Sequence, residues 1–313
     1  MNLDEKILLP GGAGLVGQNL LLCLRRLGYR NLVVLDKHRE NLEILRRVHP
    51  GVVAEFADLA EPGDWEAHFA GAAVVVILQA QIGGSEPEPF VRNNIDSTRR
   101  ILDLVERHAI PCTVHISSSV VESVADDHYT RTKKEQERLV LERGIPCVVL
   151  RPTLMFGWFD RKHLGWLARF MKKVPVFPIP GSGRYLRQPL YAGDFCAIIA
   201  SCIATRRASE IFNITGLETL DYIDIIRAVK RAARSKTLIL NIPYALFHAL
   251  LRLWALFDRN PPFTADQLKS LAAHDIFEVI DWPAIFDVAP TPFAEAIEQT
   301  FSDPDYSGIT LKF

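Results

Sequence analysis

Residues Ile116 to Lys133 read ISSSVVESVADDHYTRTK, and three residue types in this stretch could together move a proton. Tyr129 and Lys133 stand four residues apart, which on a helix puts both on one face. A nearby ammonium stabilises a phenolate and so lowers the pKa of a tyrosine toward neutral pH. Ser118 or Ser119, after the preceding apolar run, could hydrogen-bond the same substrate oxygen. The spacing indicates proton exchange with a carbinol, although a polar turn leading into a surface helix has the same spacing.

A glycine-rich turn near the start of the chain could bind a pyrophosphate. The segment PGGAGLVG has glycines at every third position, between an apolar run and a helix-like segment. A tight strand-to-helix turn favours residues without Cβ, and it points free N–H groups of the helix N-terminus at the phosphates. The predicted contacts of this loop are Gly11, Gly14, Leu15, Val16 and Gly17.

Two carboxylates follow the next apolar runs and could hold the adenosine half of a dinucleotide. Asp36 ends the second run, where a carboxylate accepts hydrogen bonds from ribose hydroxyls, and this favours NAD because a 2′-phosphate would meet a fixed negative charge. Lys37 and Arg39 could compensate such a phosphate, or could simply be solvated at a helix start, so NADP remains the less favoured cofactor. Asp58 and Leu59 follow the third run, within reach of the adenine.

The alternation of apolar and amphipathic segments predicts the fold that positions these groups. From residue 6 to 151, strand-length runs alternate with amphipathic segments, and runs such as LVVL and VVVIL are apolar on both sides. This pattern is typical of a doubly wound α/β domain, a parallel sheet covered by helices on both faces. The predicted strands are Ile7–Leu9, Leu32–Leu35, Val52–Phe56, Val74–Leu78, Thr113–Ile116 and Cys147–Leu150. The predicted helices are Gln18–Leu27, Asn41–Val48, Val91–His108 and Thr132–Glu142.

After Pro152 the rhythm changes to a segment rich in proline, glycine and aromatic residues, followed by helix-like segments. We expect a nucleotide-binding domain over residues 1–152 and a smaller, mostly helical, substrate-binding part over residues 153–313, which can return elements to the first domain. The later predicted helices are Asp194–Ala204, Asp221–Ala233 and Tyr244–Phe257. The last is apolar nearly all round but too short to span a bilayer, so it is a core helix, an oligomer contact or a membrane-surface helix.

The order of motifs resembles that of a known family. The segments PGGAGLVG, RNNIDSTRRIL, HISSS, YTRTK, VLRPT and GSGRYLRQPLYAGD follow one another over residues 6–215 as in the extended short-chain dehydrogenase/reductase family. Within that family the chain is most similar to the NAD-dependent epimerase/dehydratase group acting on nucleotide sugars. The resemblance implies a Rossmann domain with NAD, a smaller substrate domain, a substrate between the two, and a homodimer paired through Val91–His108 and Thr132–Glu142.

The resemblance also implies roles for individual residues. Tyr129 matches the catalytic base, Lys133 the lysine that holds the nicotinamide ribose and tunes the tyrosine, and Ser118 the catalytic hydroxyl, with Ser119 as the alternative. Asn94 matches an asparagine that fixes the helix behind the site. The remaining matched positions are Gln79 and Ala80, beside the nicotinamide ribose, and Arg187, which would contact the substrate diphosphate. Ser119 is a second candidate for substrate binding, and Tyr129 is expected to contact the cofactor as Lys133 does.

Several positions depart from the pattern of sugar-nucleotide epimerases. Pro10 precedes the first glycine in place of a threonine, VVES stands where a Tyr-Gly pair is usual, the interval from Ser118 to Tyr129 is short, and Leu154 replaces an asparagine. These differences leave two alternatives open. One is a dehydrogenase or reductase of a non-nucleotide alcohol or ketone, such as a sterol-like or aryl substrate. The other is a non-catalytic NAD(P)-binding scaffold, similar to the nucleotide-binding accessory subunit of respiratory complex I.

Composition excludes several other classes. The chain has 313 residues and a net charge of −1, which gives no support for nucleic-acid binding. The start MNLDEKILLPGG is not typical of a signal or transit peptide, so we expect a cytoplasmic protein without a membrane span. The five cysteines form no CxxC pair, which predicts buried thiols and no metal site. The segment DRKH, with Arg161, Lys162 and His163, could meet an anionic substrate or could be a solvated helix start.

Overall fold

The apolar runs of the first 152 residues form parallel strands in the computed structural model, which describes residues 2–255, 268 and 276–312. The strands fall within one or two residues of their predicted bounds. They are β1 (Lys6–Pro10), β2 (Leu32–Asp36), β3 (Val53–Phe56), β4 (Ala72–Ile77), β5 (Thr113–Ile116) and β6 (Cys147–Pro152).

The predicted helices connect these strands and cover the sheet. They are α1 (Leu15–Arg26), α2 (Arg39–Val48), α3 (Pro87–Phe90), α4 (Ser97–Arg107) and α5 (His128–Glu142). The predicted helix Val91–His108 begins as a π-helical turn, Val91–Asp96, and continues as α4. Side chains of α1 and α2 pack on one face of the sheet, and those of α4 and α5 pack on the other. This is the predicted doubly wound α/β fold.

The direction in which successive strands are added to the sheet reverses at its middle, between β1 and β4. A seventh strand, β11 (Glu210–Ile214), completes the order β11-β6-β5-β4-β1-β2-β3. The chain moves outward from β1 through β2 to β3, then returns to β4 on the other side of β1. In open α/β sheets, ligands bind at such a switch point, at the carboxyl ends of the strands.

The seventh strand comes from the second half of the chain, where the sequence patterns did not predict a sheet strand. β11 pairs in parallel with β6 through Ile211 opposite Val149 and Phe212 opposite Leu150. The preceding helix, α7 (Ala192–Thr205), packs its buried side chains into the same core as α1. Residues 192–214 therefore return to the nucleotide-binding sheet.

The smaller part consists of helices and three two-stranded sheets. The strands are β7 (Met155–Phe156) with β10 (Leu190–Tyr191), β8 (Val176–Pro180) with β13 (Leu238–Ile242), and β9 (Leu186–Arg187) with β12 (Leu220–Asp221). The helices are α6 (Leu164–Met171), α8 (Tyr222–Ala232), α9 (Tyr244–Ala255), α10 (Trp282–Phe286) and α11 (Phe293–Ser302). A separate apolar core joins α6, α8 and α11.

Of the three alternatives that the sequence offers for helix α9, a buried core helix is the one that the structure contradicts. Over the described positions 244–253 no side chain is buried, and Leu246, Leu250 and Leu253 are each about half exposed. The last two residues of the predicted segment, 256–257, lie outside the described residues. The helix is apolar on most sides, so its composition resembles that of a core helix although it lies at the surface.

The cysteines are reduced, and four of the five are buried. Cys23 is half-buried, and Cys112, Cys147, Cys196 and Cys202 lie in the core. Within residues 2–255, 268 and 276–312, no helix combines the length and hydrophobicity that crossing a bilayer requires, and no group of three potential ligands is placed to hold a metal ion.

Candidate active site

A cavity of about 950 Å³ opens at the carboxyl ends of the central strands. Ligand sites are commonly concave and of roughly 300–1,000 Å³, so its size suits a dinucleotide and part of a substrate. Fifteen of the predicted site residues line it: Gly11, Gly14, Leu15, Val16, Gly17, Asp36, Lys37, Asp58, Leu59, Gln79, Ala80, Ser118, Ser119, Tyr129 and Lys133. Residues from five separate loops thus meet at one edge of the sheet.

The glycine loop leaves no room for side chains where it meets the sheet. Gly11 has φ +77°, and a Cβ there would lie 2.4 Å from the backbone nitrogen of Gln79. A Cβ on Gly17 would lie 2.1 Å from the carbonyl oxygen of Gly12. Gly14 caps the start of α1 without a side-chain hydrogen bond, which leaves the first amides of the helix available. The loop therefore fits a pyrophosphate.

Asp36 connects the glycine loop to the end of β2. Its Oδ2 accepts a hydrogen bond from the Ala13 amide at 3.0 Å, and its Oδ1 accepts one from the His38 amide at 3.0 Å. Burial raises the pKa of Asp36, and these hydrogen bonds oppose the rise. Each carboxylate oxygen can accept a second bond, so the group fits ribose hydroxyls as predicted.

The residues expected at the adenine end have protein partners of their own. Burial raises the pKa of Asp58, but the Arg92 guanidinium, 2.7 Å away, outweighs it and leaves that pKa lowered. Lys37 Nζ donates to Asn93 Oδ1 at 2.7 Å, and the Arg39 guanidinium lies 3.7 Å above the ring of Phe56. Both basic side chains that could have compensated a 2′-phosphate are therefore engaged elsewhere.

Tyr129 lies in the first turn of α5, and it lines the cavity together with Ser118. The helix is capped by Asp127, whose Oδ1 accepts from the Thr130 amide at 2.9 Å. Burial raises the pKa of Tyr129, with the Ser118 side chain opposing it. Lys133 has no part in this shift, so the expectation that its ammonium lowers the pKa of the phenol is wrong for this state of the protein.

The side chain of Lys133 is directed into the fold, which explains that correction. It is 1% exposed, and its Nζ donates to the Ile116 carbonyl at 3.0 Å and to Gln136 Oε1 at 2.5 Å. Burial lowers the pKa of Lys133 to about 7, with Glu137 opposing the shift. Lys133 still lines the cavity beside Tyr129, so an approaching ribose could meet it.

Asn94 connects the loop after β4 to the catalytic helix, as the resemblance implied. Its Oδ1 accepts from the Gln81 amide at 2.6 Å, and its Nδ2 donates to Thr132 Oγ1 at 2.9 Å. Asn94 is fully buried. Thr132 stands between Tyr129 and Lys133, so Asn94 fixes the rotation of the turn that carries both.

A buried ion pair behind the serines was not predicted. Glu137 accepts hydrogen bonds from Ser117 Oγ at 2.5 Å and from Arg151 Nε at 3.0 Å, and Arg151 makes a second bond through Nη2. The hydroxyl of Ser117 is thereby engaged by Glu137, whereas Ser118 lines the cavity beside Tyr129. Geometry thus favours Ser118 over Ser119, which begins the short 3₁₀ helix Ser119–Glu122.

Polar and basic groups line the cavity on the side of the smaller part. Thr153, after β6, is buried, and no described residue hydrogen-bonds its Oγ1. Arg161 and Lys162 also line the cavity, beside Arg169. Burial lowers the pKa of Arg161 to about 10, and repulsion by Arg169 adds to the shift. The segment DRKH is thus part of the cleft wall.

The nearest carboxylate to this basic group is occupied by backbone amides. Asp160 Oδ1 accepts from the amides of Lys162 and His163, and its Oδ2 accepts from that of Gly165, each at 2.9 Å. These bonds build the turn that begins α6.

Arg187 is the predicted site residue that the cavity lining lacks. It lies on β9, opposite Leu220 of β12, and its Nη1 donates to the carbonyl of Leu186 at 2.7 Å. The short antiparallel ladder holds it in the smaller part. A role for Arg187 in substrate binding remains a prediction, whereas Arg161 and Lys162 of the smaller part do line the cavity.

The end of the described chain forms an unexpected wall of the cavity. Asn41 Nδ2 donates to the carbonyl of Lys312 at 2.9 Å, and its Oδ1 accepts from the Lys312 amide at 2.7 Å. Leu311 is buried against Trp158 and Phe159. Leu311 and Lys312 both line the cavity near Asp36. Contacts so distant in sequence leave no local pattern, although an asparagine buried on an amphipathic helix suggests a backbone partner.

A model of the NAD dependent epimerase/dehydratase family matches residues 7–215. Two curated relatives are similar over most of the chain. Mitochondrial NADH dehydrogenase (ubiquinone) 1 alpha subcomplex subunit 9 of Dictyostelium discoideum is 24% identical, over 82% of this chain and 73% of its own. A dTDP-glucose 4,6-dehydratase of an Actinoplanes species is 27% identical, over 67% of this chain and 76% of its own.

A solved structure shares the fold over almost the whole chain. UDP-glucuronic acid 4-epimerase from Bacillus cereus, crystallised with NAD, aligns with a TM-score of 0.72 and 21% identity. The alignment covers 94% of this chain and 96% of that one. The agreement in fold therefore extends beyond the nucleotide-binding domain to the smaller part.

Proposed function

The chain belongs to the NAD-dependent epimerase/dehydratase family, and from this premise we propose that it moves hydride between NAD and a carbon of a nucleotide sugar, as an epimerase or a dehydratase-like oxidoreductase. The observation that carries the proposal is the neighbouring pair of Ser118 and Tyr129, in a cavity that the glycine loop also lines. A scaffold needs the loop but has no use for this pair.

The glycine loop and Asp36 fit the pyrophosphate and the adenosine ribose of NAD. The family is NAD-dependent, and the residues present agree with that cofactor. Gly11 and Gly17 leave close backbone access for the pyrophosphate, and Asp36 has unused acceptor positions for ribose hydroxyls. When bound, NAD would accept a hydride from the substrate carbon and, in an epimerase, return it to the opposite face.

Tyr129 would exchange the proton of the substrate oxygen. Its raised pKa keeps the hydroxyl protonated near neutral pH, so it is poised to donate a proton to a carbonyl oxygen. In the oxidation direction the phenol must first lose that proton. Ser118, which lines the cavity beside Tyr129, would orient the same oxygen and stabilise charge that develops on it.

Lys133 would fix the helix and respond to the cofactor. Its bond to the Ile116 carbonyl holds α5 against the end of β5, which sets the distance between Tyr129 and Ser118. An ammonium has three donors, and two of them are used in the structure. The third is available for a ribose hydroxyl. An effect of Lys133 on the pKa of Tyr129 would therefore require bound NAD.

A nucleotide sugar would supply the anionic group that the smaller part accommodates. Arg161 and Lys162 both line the cavity on the side of the smaller part. Basic side chains in a partly buried cleft bind phosphate groups well. Relatives named for dTDP-glucose and UDP-glucuronic acid support a diphosphate-linked sugar as the substrate class.

Homodimer formation through α4 and α5 is part of the same proposal. The two helices are already linked within one chain by Arg143, which pairs with Asp103 and Glu106 at 2.7 Å each. Leu141 is about half exposed on α5 and could enter such an interface. A monomeric sedimentation profile at micromolar concentration would contradict the dimer and leave the chemistry unaffected.

The test is to incubate the NAD-loaded protein with a panel of UDP-, GDP- and dTDP-sugars. We expect one sugar class to bind and to be converted, without net NADH release for an epimerase. Tyr129→Phe should bind the same sugar nucleotide but lose turnover. Bound NAD with no sugar nucleotide binding would exclude the substrate class, and no turnover with any alcohol substrate would indicate a scaffold.

A further inference from the structure

Glu122 places a carboxylate at the catalytic end of the cavity. It ends the 3₁₀ helix that follows Ser118, and it lines the cavity together with Ser118 and Tyr129. Its Oε1 accepts from Arg151 Nη1 at 2.8 Å and from Asn213 Nδ2 at 3.0 Å. No hydrogen bond within the described part of the chain uses Oε2, so one carboxylate oxygen is anchored and the other is available.

The charge around Glu122 is not balanced. Arg151 presents three nitrogens, of which Nε and Nη2 bond Glu137 and Nη1 bonds Glu122. Two carboxylates therefore share one guanidinium. Lys133 turns away to Ile116, and Lys134 is an exposed side chain that donates to a neighbouring carbonyl. The catalytic end of the cavity thus retains negative charge, on a side chain that is about half exposed.

The surrounding groups suit hydroxyls. Thr153 Oγ1 is buried without a described hydrogen-bond partner, and Ser119 and Ser123 line the same stretch of cavity as Glu122. A buried hydroxyl that makes no bond is costly, so a ligand that bonds it gains affinity. A carboxylate beside such groups accepts hydrogen bonds from hydroxyls and repels another carboxylate.

We propose that Glu122 is a specificity-determining residue, which selects nucleotide sugars with a neutral, hydroxyl-bearing ring and excludes those with a uronate. This inference rests on the proposed function and sharpens its substrate class. It also separates the chain from the structurally similar UDP-glucuronic acid 4-epimerase, whose named substrate carries a carboxylate.

The experiment measures the dissociation constants of UDP-glucose and UDP-glucuronic acid with the NAD-loaded protein, by calorimetry. The wild type should bind UDP-glucose more tightly by roughly three- to tenfold, as expected for like-charge exclusion by a half-exposed carboxylate. Glu122→Gln keeps an acceptor for Arg151 and Asn213 but removes the charge. It should tighten UDP-glucuronic acid binding and bring the ratio toward one.

Glu142→Gln is the matched control, because Glu142 pairs with Arg138 on the same helix as Tyr129 but outside the cavity. It should leave the ratio unchanged. Equal binding of the two sugars by the wild type, or a ratio that Glu122→Gln does not change, would overturn the role of Glu122 while the proposed function stands. If neither sugar nucleotide, nor any other of the panel, binds, the proposed function fails and this inference with it.

Discussion

The ammonium of Lys133 lies 3.0 Å from the carbonyl oxygen of Ile116, the last residue of β5. This bond joins the catalytic helix to the strand that carries the serines. It also takes a charged group out of water, at 1% exposure, with only carbonyl and amide oxygens as partners. Burying an ammonium in this way is costly, and its lowered pKa expresses that cost.

Lys133→Met should change how stability depends on pH. The folded pKa of Lys133 is about 7, against 10.5 for an exposed lysine. Between these values the unfolded chain binds the extra proton, so wild-type stability should rise with pH by up to about 1.4 kcal/mol per unit and level off above pH 10.5. The variant should lack this component. The measurement is urea unfolding at several values between pH 7 and 10.

The comparison is informative because other groups titrate equally in both proteins. We expect the free-energy difference between variant and wild type to be largest near pH 7, in favour of the variant, and to shrink as pH rises. The control is Lys134→Met, because Lys134 is the next residue and its side chain is exposed. Its stability difference from the wild type should not depend on pH. A pH-independent difference for Lys133→Met would contradict a lowered pKa.

Tyr129→Phe should lower kcat by roughly 10²–10⁴-fold, the usual contribution of a positioned acid or base. Ser118→Ala should lower it by roughly 100-fold, through the loss of a donor to the reacting oxygen. Neither change touches the glycine loop, so NAD affinity should stay within twofold. Because burial raises the pKa of Tyr129, carbinol oxidation by the wild type should become faster as pH rises above neutral.

The serine assignment has an internal control. Ser119→Ala should lower kcat far less than Ser118→Ala, because Ser118 is the serine whose side chain acts on the pKa of Tyr129. Steady-state rates with the accepted sugar nucleotide, together with NAD titration of each variant, measure these effects. A larger loss for Ser119→Ala than for Ser118→Ala would shift the catalytic role to the second serine.

The fold of the first 152 residues could be read from local patterns, because both faces of a buried parallel strand are apolar. LVVL and VVVIL became β2 and β4 almost as predicted. β11, with the sequence EIFNI, is half exposed and far in sequence from its partner β6. A pairing of that kind depends on long-range contacts, so no local pattern indicates it.

The site shows the same division. The glycines, Asp36 and Tyr129 sit where their motifs placed them, because motif spacing encodes the ends of strands and helices. The partner of Lys133 could not be predicted, because helical spacing says which face a side chain shares but not which acceptor it reaches. Glu137, one turn beyond Lys133, shares that face, yet it pairs with Arg151 of a neighbouring strand.

Arg161→Gln with Lys162→Gln should weaken substrate binding selectively. The two cations line the cavity, and a diphosphate would lose its compensating charge. We expect KM for the sugar nucleotide to rise by roughly 10- to 100-fold, with kcat changed much less, because uniform binding is lost. The salt dependence of KM should also flatten. Lys172→Gln with Lys173→Gln, at the far end of α6, is the control pair. An unchanged KM would show that the diphosphate does not bind at Arg161 and Lys162.

Asn41→Ala should make NAD dissociate faster. The loss of stability of the cofactor-free protein should be too small to account for this change. Asn41 holds the Lys312 backbone by two hydrogen bonds, and Leu311 closes the same wall near Asp36. Releasing this segment opens the adenosine end of the cavity, so we expect the NAD dissociation constant to rise by roughly tenfold, the equivalent of about 1.4 kcal/mol. Leu311→Ala should act in the same direction.

Glu40→Ala, beside Asn41 on an exposed face, is the control. Stopped-flow displacement of NAD measures the rate, and cofactor-free melting separates loss of the wall from loss of stability. Equal dissociation rates for Asn41→Ala and wild type would show that residues 311–312 take no part in cofactor retention.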